Sequence, residues 1–237
     1  MKILLTNDDG FDSEGIQRLA QTLRVGGKYR VTIIAPDSNR SGVSHAISIL
    51  NSPVKIVKKG EDDFTCSGFP ADCVIIGLRG GLVERPDIVL SGINRGENLG
   101  TDIVYSGTAA AARQAGLVGV PAIALSLVGR ENLCWDMAAS WAADNLDELL
   151  GFWKKDCFVN VNIPNSPEGP LGMLVSTPEH RAYKDALTAM DAPDGNRWYF
   201  MEAEAQPQQW REDSDCHAVS RNYASVSSVY CHPIAQN

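Results

Sequence analysis

Short apolar runs alternate with stretches of helical periodicity over roughly the first 160 residues of this 237-residue chain, and few folds accommodate that alternation. Ile3 to Leu5, Arg30 to Ala35, Asp87 to Leu90, Ala122 to Leu125 and Phe158 to Ile163 read as strands. Between them, Ile16, Leu19, Ala20 and Leu23 fall at helical spacing before Gly26-Gly27. Pro70 opens a second helical stretch closed by Gly80-Gly81, Ala109 to Ala115 is alanine-rich, and Trp135 to Leu150 is helical in pattern. Near-continuous apolar strands separated by helices predict an α/β fold, a parallel sheet covered by helices on both faces. Val43 to Leu50, Val54 to Val57 and Phe64 to Ser67 read as short strands or edge segments.

The character changes from Gly169 onward. Met173 to Ser176, Trp198 to Ala203 and Ala218 to Tyr230 read as strands between loops rich in Pro and Gly. Residues 169–237 are therefore expected to form an antiparallel β extension of a core over 1–168. The extension is not an independent domain, and it suits an interface or a lid.

Composition narrows the function. With 44% hydrophobic and 21% charged residues the chain is ordinary for a globular enzyme, and no apolar run approaches the ~20 residues that span a bilayer. Asp8 and Asp9 interrupt the N-terminus before a secretory leader could form, so a cytoplasmic location and no membrane partner are expected. A net charge of −8 argues against a nucleic-acid polymer as partner. A small anionic substrate stays compatible if a metal ion or a helix N-terminus supplies local positive charge. Six cysteines without a C-x-x-C pair read as packed thiols.

Polar residues gather where the strands end. The first strand stops at Asn7-Asp8-Asp9-Gly10, and two adjacent carboxylates there mark either a solvated turn or a cation site. Ser41 follows the second strand and Asn94 the third. Two carboxylates, a hydroxyl and a carboxamide form an all-oxygen set, which suits Mg²⁺, Mn²⁺ or Ca²⁺ rather than Zn²⁺. Ser106 and Thr108 precede the alanine-rich helix, where their hydroxyls and the free N–H groups either hold phosphate oxygens or merely cap. Arg40 and Arg95 read as surface arginines with phosphate contact as the alternative, Asp72 as a structural acid, and His45 as a hydrogen-bonded histidine close to the Ser41 loop.

These segments resemble, in order and spacing, the SurE family of survival-protein nucleotidases. The resemblance lies in Ile3 to Gly10 with Gly15-Ile16, in Ala35-Pro36-Asp37 through Ser41-Gly42, and in Gly68 to Val74. It continues through Arg85 to Val89, Ser91 to Asn94, Gly96, Asn98 to Gly100 and Tyr105 to Thr108. It implies a Rossmann-like catalytic core and a metal-dependent phosphomonoesterase acting on nucleoside 5′- and 3′-monophosphates, with short polyphosphate as a further substrate. One divalent ion per subunit, Mg²⁺ or Mn²⁺, would lie on positions Asp8, Asp9, Ser41 and Asn94. Asn98 and Ser106 match the phosphate and water site, with Gly42 and Thr108 nearby, and Asp8, Asp9, Asn98 and Ser106 form the implied catalytic set. The family's C-terminal extension is exchanged in dimers, sometimes assembled into tetramers, so a homodimer or homotetramer is implied. Late in the chain, Asn222 stands where the family carries glycine and Ala224 where it carries valine, and Phe69 replaces a usual threonine.

Two other classes fit less well. A signalling receiver also places an acidic pair after its first strand, but Ser91-Gly92 stands where its phosphoacceptor aspartate belongs. A dinucleotide-dependent oxidoreductase would need G-x-G-x-x-G after the first strand, where Asp8-Asp9 lies instead.

Overall fold

The computed structural model describes residues 1–49, 53–206 and 208–233. In chain order the core elements are β1 (Lys2–Thr6), α1 (Glu14–Arg24), β2 (Arg30–Pro36), β3 (Ile56–Lys58), β4 (Asp63–Cys66), α2 (Pro70–Arg79), β5 (Ile88–Arg95) and α3 (Gly107–Leu117). There follow β6 (Ala122–Leu127), α4 (Trp135–Asp144), α5 (Leu146–Gly151), β7 (Cys157–Ile163), β8 (Met173–Val175), β9 (Tyr183–Asp191), β10 (Arg197–Ala205), α6 (Asp215–Ser220) and β11 (Ala224–Tyr230).

Strand periodicity divides the core into two layers. Ile3 and Leu5 point to the cluster built with Ile16, Leu19 and Leu23 of α1 and Ala138, Ala139 and Leu149 of α4 and α5. Leu4, one residue out of phase, points to Val74 of α2 and Ala109, Ala112 and Ala115 of α3 on the opposite face. Alanines let α3 lie close to the sheet, and Gly77 of α2 does the same. A Cβ at Gly77 would stand 2.5 Å from Leu4 Cδ2.

The main sheet runs β3-β4-β2-β1-β5-β6-β7-β11-β8. The block from β4 to β7 is parallel, β3 is antiparallel at one edge, and β11 runs antiparallel to β7 with β8 parallel beside it. The chain moves outward from β1 through β2 to β4, then restarts on the other side of β1 with β5. That reversal opens a crevice at the carboxyl ends of β1 and β5, the place where such sheets bind ligands. Strands β9 and β10 form a separate antiparallel hairpin.

Several sequence expectations change. Ser91 to Asn94 continues β5 instead of starting a loop, because one extra residue is accommodated as a bulge. Ser91 faces Ala124 and Asn94 faces Ser126, three steps on β5 against two on β6. Val43 to Leu50 reads in the sequence as a short strand or edge segment, yet residues 43–49 are irregular, and Leu50 lies outside the described residues. Their polar groups are satisfied by side elements instead of a ladder: Ser44 N–H donates to Tyr105 O, and Ser48 N–H and hydroxyl donate to Asp72. Trp135 to Leu150 is two helices meeting at Asn145, whose side-chain amide competes with its own N–H for Trp141 O. Ala218 to Ser220 are helical, not extended, because Ser214 Oγ caps α6 by accepting His217 N–H at 3.1 Å. Asn222, at the position where glycine was expected from the resemblance, has φ +61° and ends that helix in the left-handed region, which Asn tolerates.

Candidate active site at the sheet's switch point

The turn after β1 is made by Asn7. Its side-chain amide donates to Gly10 O (2.9 Å) and Ser13 Oγ (2.7 Å), and Gly10 N–H donates back to Asn7 Oδ1 (3.2 Å). Gly10 holds φ +102°, so the turn needs glycine there. The two carboxylates leave this turn in different directions. Asp8 is 3% exposed. Its Oδ1 accepts a short hydrogen bond from the Thr108 hydroxyl. Burial pushes the Asp8 carboxyl up to about 6, against the Thr108 bond and with the help of neighbouring Asp9. Asp9, half-buried, accepts Arg95 N–H at 2.9 Å. Burial raises its carboxyl too, opposed by that bond and by the Arg95 charge.

Helix α3 is aimed at Asp8. Ser106 caps it by accepting Ala109 N–H at 3.0 Å. Gly107 is where the helix touches the turn: a Cβ there would stand 2.8 Å from Asp8 Cβ and 2.9 Å from Asp8 Oδ2. The positive end of the helix dipole therefore faces this carboxylate. Arg40 N–H donates to Asp8 O at 2.7 Å, which brings the loop after β2, with exposed Ser41 and Gly42, over the same point. Asn94 sits just past the β5 bulge and ties its amide to Gly96 O at 2.9 Å.

Asn98 is held from below by β7. Asn162 accepts its N–H (2.7 Å), Asn160 and Asn162 donate to its carbonyl, and Ser126 Oγ accepts its side-chain amide (2.8 Å). Two residues on, Gly100 N–H donates to the buried Asp215 carboxylate at 2.7 Å, and Glu179 N–H and Cys216 N–H donate to the other oxygen. The loop that carries Asn98 is thus pinned by the last third of the chain.

A cleft of about 620 Å³ opens here, with Asp8, Ser41, Gly42, Asn94, Asn98 and Ser106 on its wall. The structure brings these six of the expected residues together. Asp9 and Thr108 stand behind it, Thr108 fully buried against Asp8. Arg95 lines the cleft, whereas Arg40 turns away to Asp37 and Ser67 O. His45 Nε2 pairs with Gln114 at 3.0 Å, and Asp72 accepts Phe69 N–H and the Ser48 groups, a structural acid.

The other wall carries no signature in the sequence. Arg181 and Tyr183, at the root of the β9–β10 hairpin, line the cleft with Tyr105 and Arg130. The Arg181 guanidinium pairs with Asp102, reaches within 3.8 Å of Glu97, and lies 5.4 Å from the Tyr183 ring centroid. The Tyr183 hydroxyl also donates to Asp102. No local pattern signals this cluster, because Arg181 and Asp102 are 79 residues apart. Asn160 and Asn162 lie inside the Phe158 to Ile163 strand, where nothing in the local sequence marks them as supports for Asn98.

A second cavity, about 470 Å³, opens at the amino ends of the strands beside Lys2, Arg30, Asp62 and Glu84. Its charges cancel. Lys2 and Arg30 both reach Glu84 (3.2 and 2.9 Å), and Arg30 also reaches Asp62 (3.4 Å).

Fold and site together define a Rossmann-like α/β protein with an acidic, oxygen-lined crevice at its switch point. The chain belongs to the SurE family: the family model described as Survival protein SurE matches residues 3–185. It is 42% identical over 234 residues to the 5′-nucleotidase SurE of Geobacter sulfurreducens, covering 97% of this chain and 88% of that one. With the Aquifex aeolicus protein of the same name it shares 41% over 231 residues, covering 96% and 91%. The crystal structure of SurE protein from Aquifex aeolicus superimposes with a TM-score of 0.85 at 39% identity, covering 99% of this chain and 95% of that one.

Proposed function

We propose that this chain is a metal-dependent 5′-nucleotidase, a phosphomonoesterase that converts nucleoside monophosphates to nucleoside and phosphate. Nucleoside 3′-monophosphates and short polyphosphate are further substrates in this reading, and the cytoplasm is its location. The observation that carries it is the adjacent pair Asp8 and Asp9, both carboxyls raised by burial, with Asp8 on the wall of a polar crevice against the N-terminus of α3 and Asp9 just behind it. The names of the relatives, 5′-nucleotidase SurE, supply the reaction class.

The donor set fits a hard divalent ion. Asp8 has a hydroxyl and backbone groups beside it but, among the described residues, no cationic side chain bonded to it, so its charged form calls for a cation. Among the described residues no three His, Cys, Asp or Glu side chains gather as a metal cluster, and neutral oxygens complete the set. Asp8, Asp9, Ser41 and Asn94 would hold one Mg²⁺ or Mn²⁺ per subunit. Such an ion supplies positive charge against the phosphoryl oxygens.

The rest is done by the chain. Ser106 and the Gly107 N–H at the start of α3 bind phosphate oxygens and stabilise the charge that develops on them, while the Thr108 and Ala109 N–H groups are engaged by Asp8 and Ser106. Gly42 adds a backbone contact from the opposite loop. Asn98, fixed by Ser126 and the two β7 asparagines, orients a water for in-line attack, and Thr108 keeps Asp8 in place. Water adds to phosphorus, the ester P–O bond breaks, and the leaving oxygen takes a proton.

A homodimer or homotetramer through the C-terminal extension completes the proposal. Its support is the β9–β10 hairpin, which exposes Leu187, Met190, Trp198, Tyr199, Phe200 and Met201. The deciding experiment is phosphate release from a panel of nucleoside 5′- and 3′-monophosphates with Mn²⁺ or Mg²⁺, with chelator, and in Asp9→Asn. Release is expected only with metal and the intact pair. Full activity in chelator or in the variant would sink the metal mechanism.

A further inference from the structure

The cleft is larger than a phosphate group requires, and its two tyrosines differ in what they have left to offer. Tyr183 is committed: its hydroxyl donates to Asp102 and its ring lies under the Arg181 guanidinium. Tyr105 is 59% exposed, and among the described residues its ring and hydroxyl bond to nothing. Its backbone, by contrast, is pinned on both sides. Tyr105 N–H donates to Asp102 O (3.0 Å), its carbonyl accepts Ser44 N–H (2.9 Å), and the preceding Val104 O accepts the Ser44 hydroxyl (2.7 Å). The next residue is Ser106, the cap of α3 at the cleft wall.

An aromatic ring held on a fixed backbone, free on its surface, and one residue from the phosphate end of a polar cleft is a preorganised stacking platform. We propose that Tyr105 stacks the nucleobase of the substrate, so that base-bearing monophosphates are selected over phosphate esters that lack a base. This deepens the nucleotidase reading and rests on it. Tyr105 here determines specificity by touching the substrate far from phosphorus, and any aromatic ring at this position would serve.

The test compares kcat/KM for adenosine 5′-monophosphate with kcat/KM for ribose 5-phosphate, the same phosphate and sugar without the base. The ratio of the two should fall about tenfold in Tyr105→Ala and stay within about threefold of wild type in Tyr105→Phe. Thermal melting of both variants is measured alongside, because Tyr105→Phe keeps the comparison valid even where the alanine variant is destabilised. A ratio unchanged in Tyr105→Ala, or a ratio that drops as far in Tyr105→Phe, overturns the stacking role. If the wild-type enzyme releases phosphate from neither ester, the nucleotidase reading itself fails, and the base platform with it. If it hydrolyses both and only the ratio is indifferent to Tyr105, the nucleotidase stands and the platform falls.

Discussion

The two ends of the same sheet carry similar numbers of charged side chains and use them in opposite ways. At the amino ends, Lys2, Arg30, Asp62 and Glu84 surround an open cavity and pair with each other near solvent. At the carboxyl ends, Asp8 is buried against a hydroxyl and a helix N-terminus, and among the described residues no side-chain cation is bonded to it. Cavity size does not separate the two. What separates them is unresolved charge, which costs stability and therefore persists where it has a use.

That contrast can be broken most forcefully at Asp8. Asp8→Asn should lower phosphate release from a nucleoside monophosphate by at least about 10²- to 10³-fold with metal present. The same variant should melt no lower than wild type in chelator, because the substitution removes a buried charge while keeping the shape. Retained activity, or a clear loss of stability, would place Asp8 among the structural acids. Gly107→Ala comes next. The new Cβ would meet Asp8 and, at 3.2 Å, Pro70 Cγ, so the carboxylate has to move. A loss of roughly 10- to 100-fold in kcat/KM with a destabilisation of about 1–3 kcal/mol is expected from steady-state kinetics and urea unfolding.

A third test leaves the crevice for its support. Glu179 is buried, and although burial alone would raise its carboxyl, the Arg211 N–H and guanidinium and the His180 N–H hold it down at about 2. A carboxyl depressed on folding adds stability above its unfolded value and loses it as pH falls through the folded one. Denaturation midpoints should therefore drop between pH of about 4.5 and about 2, and Glu179→Gln should flatten that drop while costing about 2 kcal/mol at neutral pH. A wild-type midpoint that is flat over this range would show the carboxylate is not linked to folding. The smallest effect belongs to the amino end. Glu84→Ala removes two exposed ion pairs and should shift Tm by no more than about two degrees, with kcat/KM unchanged. A large loss of activity there would give the second cavity a function that cancelled charge denies it.

The legible parts of the chain were those with a local cause. The β1 run that stops at Asp8-Asp9, the capped and alanine-rich α3, and the strand ends bearing Ser41 and Asn94 announce themselves by periodicity and by polar residues where apolar ones stop. The β5 bulge was not legible, since Ser91-Gly92 looks like the end of a strand and only pairing with β6 shows that the strand continues. Strand β9 was missed for a related reason. It is exposed along nearly its whole length, so no apolar alternation marks it, and only its ladder with β10 makes it a strand. The Arg181, Tyr183 and Asp102 wall depends on contacts between distant segments, which no window of sequence contains.

The Asp215 carboxylate, which takes the Gly100, Glu179 and Cys216 N–H groups, sets an order on biogenesis. Strands β1 to β7 can pair while the ribosome is still adding the tail, because their partners are already made. The loop bearing Asn98 gains its last anchor only after residue 215 has been made, 115 residues beyond Gly100. A nascent chain would thus own a sheet and a carboxylate pair well before the wall that carries Asn98 was locked in place.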